Sequence, residues 1–193
     1  MKVLLIGLGR WGEKHLRVLR ELGCEVWVAD VSDERRAFAV KSGVPEAHAV
    51  TDFRSALPHV DAVDLVTPAD NHLALASECL QDGKDCFVEK PLTLTVAEGR
   101  ALAQAVRATR RVLQVGHIFR FHPVTIFMRE RIRSGSVGPV RYCTGRFAGF
   151  KRPRTDVGVT QTDGIHYFDL IAYLLGREPT AVTATLRDFL GRG

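Results

Sequence analysis

Paired cysteines are missing from this sequence. Its four, Cys24, Cys79, Cys86 and Cys143, are scattered, with no C-x-x-C spacing among them. That argues against a disulfide framework and against a metal site, and they are read as reduced structural residues. Long apolar runs are missing too: none approaches the roughly 20 residues that cross a bilayer. The N-terminal MKVLLIGLGR passes from a short apolar run straight into a glycine-rich turn, where a signal peptide would have a longer apolar region and a small-residue cleavage site. It is expected to form the first strand of a cytoplasmic protein with no membrane partner. Internal repeats and low-complexity segments are absent. Acidic residues are scarce in one stretch. Between Arg129 and Arg154 the basic residues are Arg129, Arg131, Arg133, Arg141, Arg146, Lys151, Arg152 and Arg154, against Glu130 alone. Such a stretch is a solvated basic face or a docking surface for an anionic ligand. No nucleic-acid-binding motif accompanies it, so nucleic acid is not the expected partner.

What remains is an ordinary globular composition, 46% hydrophobic and 25% charged over 193 residues, enough for one full domain and part of a second. Strand and helix patterns alternate through the first 118 residues. Strands are expected at Val3–Gly7, 25–30, 47–50, 62–68, 85–89 and 112–116. Helices are expected at Trp11–Leu22, with Leu16, Leu19 and Leu22 on one face, and at Asp33–Ser42, closed by Gly43. A third follows the fourth strand, with Leu73, Ala76 and Leu80 at helical spacing. Thr95 and Glu98 form a capping box opening a helix that runs to about Thr109. Short buried strands alternating with helices specify an α/β fold, a parallel sheet with helices on both faces.

After Pro123 the rhythm changes. A helix over about 124–133 ends at Gly135, a strand is expected over 139–150, a basic loop follows, and a helix over about 164–175 stops at Gly176. A last alternating strand is expected at 180–186. The expected division is 1–120 and 121–193, the second part being a partial α+β domain for substrate and oligomer contacts. Two strands bury too little apolar surface to be stable unaided. Residues 121–193 are therefore expected to pair with another chain, most simply as a homo-oligomer, or to stay partly mobile.

Gly7-Leu8-Gly9-Arg10-Trp11-Gly12 is G-x-G-x-x-G, directly after a strand and opening a helix, and Asp30 closes the second strand. In that context the glycines allow a tight turn and bring a pyrophosphate to the free N–H groups of a helix N-terminus. The acid accepts bonds from the adenosine ribose hydroxyls and repels a 2′-phosphate. The sheet is thus expected to be a Rossmann-type doubly wound sheet that prefers NAD to NADP, although Arg35 and Arg36 lie close to Asp30.

With these residues in place, the sequence resembles the Gfo/Idh/MocA oxidoreductases. The resemblance rests on GLGRWG after the first strand, TPADNH (67–72) after the fourth, EKP (89–91) after the fifth, VGHIFRFHP (115–123) and DGIHYFD (163–169), and it runs to about residue 187. It reads the chain as a short or C-terminally truncated member. It implies that Lys90 lies beside the nicotinamide and hydrogen-bonds the hydroxyl that is oxidised, and the Lys90–Pro91 bond is often cis in such proteins. Near an oxidised nicotinamide the lysine's own charge is disfavoured, so it can trade a proton. The alternative for Glu89 and Lys90 is a solvated strand cap. Thr67 and Pro68 are implied to line the nicotinamide side, with Asn71 and His72 close by, His72 equally fitting as a neighbour of a helix cap.

His166 matches the family's catalytic histidine, a general base or relay; the plainer alternative is a first-turn histidine that only packs. The family places an Asp four residues before it. Here that position is Thr162, and the acid is Asp163, one residue late. Asp169, at i+3, is expected to orient His166 or face solvent. His117, Arg120 and His122, with Lys151, Arg152 and Arg154, are the candidate substrate floor and anion site. The resemblance therefore implies NAD-dependent hydride transfer from a secondary alcohol of a sugar or nucleotide-linked sugar. Two rivals stand beside it: a catalytically weak NAD-binding or regulatory subunit, and an imine or pigment reductase.

Overall fold

The computed structural model describes residues 1–148 and 157–187, and the chain divides into two compact units, Met1–Gly116 and His117–Gly193. In the first unit the order is β1 (Lys2–Ile6), α1 (Gly12–Glu21), β2 (Glu25–Ala29), α2 (Asp33–Lys41), β3 (Ala49–Val50), β4 (Ala62–Leu65), α3 (His72–Gln81), β5 (Asp85–Val88), α4 (Val96–Thr109) and β6 (Leu113–Val115). All six strands are parallel, in the order β3-β2-β1-β4-β5-β6.

Alternation along β1 sends its side chains to opposite faces. Leu4 and Ile6 join Val63, Leu65, Ala76, Leu80 and Leu102 under α3 and α4, while Leu5 joins Leu16, Val28 and Ala39 under α1 and α2. Both faces are covered, so the central strands read as continuous apolar runs. Each fully buried Leu in these layers stabilises the fold by about 2 kcal/mol.

Local signals set the element ends. Ser32 caps α2, its hydroxyl accepting the Arg35 N–H. The Thr95 hydroxyl accepts the Glu98 N–H at 3.2 Å, and Glu98 reaches back to the Thr95 N–H at 2.9 Å, completing the capping box at α4. Five expected strands, β2 to β6, run shorter than their sequence patterns. Residues 46–48 form a 3₁₀ turn after Pro45, leaving β3 two residues long. The strands β4 and β5 end at Leu65 and Val88, before the prolines that cannot donate to a ladder. Leu22, expected on the inner face of α1, lies beyond the helix end and is exposed.

The second unit holds a 3₁₀ turn (Ile118–Phe121), α5 (Pro123–Arg133), a π-helical turn (Thr160–Gly164) and α6 (Ile165–Leu175), which stops at Gly176 in the left-handed region. The side chain of Asp169 on α6 accepts two bonds from Arg120 Nε, at 2.8 and 2.9 Å, and Arg129 of α5 lies 4.0 Å over the Tyr173 ring. Among the described residues this unit contains no strand. The strand expected over 139–150 is not formed at 139–148, with 149–150 outside the described residues, and that expected over 180–186 is not formed either. Alternation makes a segment compatible with a sheet, but a strand exists only where a neighbour takes its N–H and C=O groups. Neither segment has such a neighbour among the described residues, and Tyr142, Val182 and Leu186 are exposed.

The capping box gives a direct check of this local reading. Thr95→Ala should destabilise the first unit by about 1 kcal/mol, measured by urea unfolding, with Thr95→Ser recovering most of the loss.

Candidate active site

The strand order reverses between β1 and β4, so the connections leaving their carboxyl ends diverge to opposite faces and open a crevice there. The turn after β1 shapes it. Gly7 has φ 92°, and a Cβ at this position would meet Val66 O at 2.9 Å. A Cβ on Gly12 would fall 2.2 Å from Gly7 O, so the start of α1 folds back against the strand end only because this residue has no side chain. Gly9 differs: nothing lies within 4 Å of its would-be Cβ. Two glycines serve packing, and the third leaves open space at a helix N-terminus, where unpaired N–H groups favour an anion. Arg10 and Trp11 complete the turn, both exposed, with Lys14 Nζ 4.7 Å over the Trp11 ring.

Asp30, just beyond β2, is fixed by backbone. Its Oδ2 accepts the Leu8 N–H at 2.7 Å and its Oδ1 the Ser32 N–H at 2.9 Å. The carboxylate thus abuts the glycine turn, as a ribose-binding acid must, and its remaining lone pairs suit a diol. The two arginines that left cofactor choice open have acidic partners. Arg35 pairs with Glu13 at 2.6 Å, and Arg36 bonds Asp33 and donates to Asp30 O.

The connections after β4 and β5 are joined by His72. Its ring is buried, with Nε2 2.9 Å from Thr67 O and Nδ1 3.1 Å from both Pro91 O and Leu92 O. Both ring nitrogens are spent on backbone, so what His72 contributes to a ligand site passes through these loops. Thr67 and Pro68 follow β4, Asn71 precedes α3 with its amide on Asp70, and the Lys90–Pro91 bond is cis.

Glu89 is not a solvated cap. It is buried at 7% exposure, with Oε1 3.3 Å from His15 Nε2 and Oε2 accepting the Lys90 N–H at 2.9 Å. On its other nitrogen His15 meets Asp64 Oδ2 at 2.9 Å. Burial disfavours the charged imidazole. The hydrogen bonds and charges of Asp64 and Glu89 outweigh it and raise the His15 pKa to about 9. For Glu89 burial acts upward, but the His15 hydrogen bond and then the Lys90 N–H hold its carboxyl below the usual range. Sequence reasoning missed both His15 and Asp64. A signal was present, because an aspartate inside the apolar run AVDLV must find a partner if the strand is buried.

In the second unit Thr162 is buried, its hydroxyl donating to Gly158 O at 3.1 Å and approaching Val159 O at 3.3 Å. Asp163 sits one residue on in the same π-helical turn. The His166 ring packs edge-on against Phe119, with centroids 4.9 Å apart. Asp169 neither faces solvent nor is spent on orienting His166. Its side chain is held by Arg120, with His117 Nδ1 at 3.9 Å, because a two-pronged guanidinium is its strongest available partner. His122 caps α5 by accepting the Val124 N–H at 3.2 Å. Of the expected anion cluster, His117, Arg120 and His122 thus have local duties, while Lys151, Arg152 and Arg154 lie outside the described residues.

Residues 1–117 match the oxidoreductase-family domain described as the NAD-binding Rossmann fold of Gfo/Idh/MocA proteins, and residues 126–192 match the family's C-terminal domain. The chain belongs to the Gfo/Idh/MocA family. Among its curated relatives are UDP-N-acetylglucosamine 3-dehydrogenase of Acidithiobacillus ferrooxidans, 34% identical over 95% of this chain and 57% of that protein, and scyllo-inositol 2-dehydrogenase (NAD(+)) of Bacillus subtilis, 32% identical over 86% and 44%. The crystal structure of the Acidithiobacillus enzyme superposes with a TM-score of 0.81 at 33% identity, over 95% of this chain and 61% of that one. The chain therefore spans about half the length of the curated relatives it matches. Membership makes the glycine turn, Asp30 and the EKP step parts of an NAD-binding Gfo/Idh/MocA domain, and the space beside Gly9 fits a pyrophosphate.

Gly9 and Gly12 should separate binding from folding. Gly9→Ala is expected to leave the thermal midpoint near that of the parent while weakening NAD binding tenfold or more, read by calorimetry. Gly12→Ala should lower the midpoint itself, since backbone must move to admit its Cβ.

The buried imidazole adds a pH dependence. A raised pKa means that the contribution of His15 to stability is complete below about 6.5 and is lost as pH rises through about 9. The lowered Glu89 acts oppositely, its contribution fading only on acidification below the ordinary carboxylate value. Between pH 6.5 and 9.5 the parent should lose more thermal stability than His15→Gln, and equal losses would show that His15 carries no extra proton.

Proposed function

We propose that this protein is an NAD-dependent oxidoreductase that moves a hydride between a secondary alcohol of a sugar, foremost a nucleotide-linked one, and nicotinamide. The observation that carries this reading is Lys90. It stands at the carboxyl end of β5, on the same sheet edge as the glycine turn and Asp30, with its backbone held by an inward-turned carboxylate. The cofactor, when bound, supplies the hydride acceptor. The chain's own residues do the rest. The turn 7–12 receives the pyrophosphate, Asp30 the adenosine ribose, and the loops at Thr67, Pro68 and Asn71 border the nicotinamide side. In the oxidation direction the Lys90 side chain, as the neutral amine, accepts the proton of the reacting hydroxyl and returns it in reduction, and His166 and Asp163 are the residues proposed to exchange that proton onward. A UDP-sugar dehydrogenase among the relatives and the basic stretch 129–154 support a nucleotide-linked substrate, and the same stretch includes Arg154 as a candidate anion contact. Assembly as a homo-oligomer through the second unit belongs to this reading.

A second reading, an NAD-binding protein with weak turnover, is favoured by one observation. Thr162 stands where the family pattern has an aspartate, and its hydroxyl is engaged with helix backbone.

The test uses UDP-N-acetylglucosamine and scyllo-inositol as probes and follows NADH absorbance. Lys90→Met should keep NAD affinity and lose roughly 10²-fold in turnover; unchanged turnover would end the proposed role of Lys90. NAD should bind at least tenfold tighter than NADP, and Asp30→Ala should shrink that preference.

A further inference from the structure

Two buried carboxylates share one imidazole in this domain, an arrangement that stability alone does not call for. A single partner would neutralise a histidine cation. Asp64 at 6% exposure and Glu89 at 7% are both buried, and a second buried carboxylate adds a desolvation cost that one ion pair with His15 does not require. The second carboxylate is therefore explained by what else it does. Glu89 N–H still belongs to the sheet, donating to Leu65 O at 3.0 Å. The next donor, Lys90 N–H, is taken by the Glu89 carboxylate, and Pro91 has none. Glu89 thus secures the last backbone donor before the proline, at the residue proposed to meet the substrate.

We infer that His15 is a positioning residue, which by holding Glu89 inward fixes the backbone of Lys90 and ties the phosphate-binding helix to that strand end. The carriers of each contact are separate elements. His15 lies on α1, whose N-terminus is the glycine turn. Asp64 comes from β4, Glu89 from the end of β5, and Phe87 of β5 packs against the imidazole with ring centroids 5.8 Å apart. Gly116, just after β6, makes the room. A Cβ there would lie 3.0 Å from Glu89 Oε1, so a side chain at this position would press the carboxylate to shift by a few tenths of an ångström. The charged groups facing His15 are Asp64 and Glu89, and Lys90 acts in turn on Glu89. When the imidazolium loses its proton, two buried carboxylates repel, and the grip on the Lys90 N–H loosens. Proton state at His15 is thereby transmitted to Lys90 through one side chain.

The role assigned to Lys90 rests on the proposed dehydrogenase function, whereas the coupling from His15 to Lys90 does not, and the two are tested apart. Coupling is read in the full-length protein by carbon-detected NMR of the Glu89 C′–Lys90 N correlation and of the His15 ring, with and without NAD, from pH 6 to 10. The expected result is that Lys90 N and the His15 ring titrate with one midpoint, near 9, and that the Lys90 response disappears in His15→Gln. A stationary Lys90 while His15 titrates overturns the inference, as does a His15 midpoint at the ordinary value. Gly116→Ala provides a variant that keeps all three charges. It should shift Lys90 N at pH 7 toward its alkaline position, and an unmoved signal overturns the inference even if His15→Gln does not fold. On a probe that is turned over, His15→Gln should lower kcat about tenfold or more, the cost of misplacing a reacting group, and by a larger factor than it weakens NAD binding. Absence of turnover on every probe would count against the dehydrogenase reading and leave the NMR result to decide this one.

Discussion

Close approach of β1 and β4 at their carboxyl ends governs this domain. The two strands are hydrogen-bonded neighbours, yet their connections leave toward opposite faces, and the backbones of Gly7 and Val66 come so near that a single methyl group would not fit. A doubly wound sheet needs such a point, because helices on both faces require the strand order to reverse somewhere. Once it exists, the glycine turn that opens α1, the Asp30 carboxylate and the connections after β4 and β5 all face one edge. The apolar layers under α1 and α2 and under α3 and α4 hold that edge rigid, which is what a dinucleotide site demands of its scaffold.

Polar contacts then refine what packing has assembled. Asp30 takes two backbone N–H groups, His72 bridges the loops after β4 and β5, and His15 bridges α1, β4 and β5. Each joins segments that lie far apart in the sequence. Buried hydrogen bonds of this kind are worth more in the low dielectric of an interior than on a surface. The charged residues of the EKP step illustrate the division of labour: the Glu89 side chain turns inward, and its neighbour Lys90 stands at the carboxyl end of β5.

The second unit follows the same physics with fewer partners. Its helices are specified locally, by the His122 cap, by Gly176 and by the Arg120–Asp169 fork. Its segments at 139–148 and 180–187 form no ladder among the described residues. Helices close their own hydrogen bonds, whereas strands borrow theirs, so the helices of this unit form from local signals and a sheet does not.

Sequence alone determined the parallel α/β architecture, the glycine turn with Asp30, the capping box at Thr95 and both helices of the second unit. These depend on residues close together in the chain: periodicity, caps, and prolines or glycines at element ends. Even the strand ends at Pro68 and Pro91 were legible within a few residues. Tertiary structure decided the rest, because it depends on which side chains meet across elements. Nothing near His15 in the sequence shows that it would lie between Asp64 and Glu89, residues 49 and 74 positions away. Nor could spacing reveal that Asp169 pairs with Arg120, since i+3 proximity to His166 competes with a stronger charged partner on another segment. Strand pairing after residue 138 was undetermined for the same reason. A pattern names the face a residue prefers, and only the fold supplies the neighbour that satisfies it.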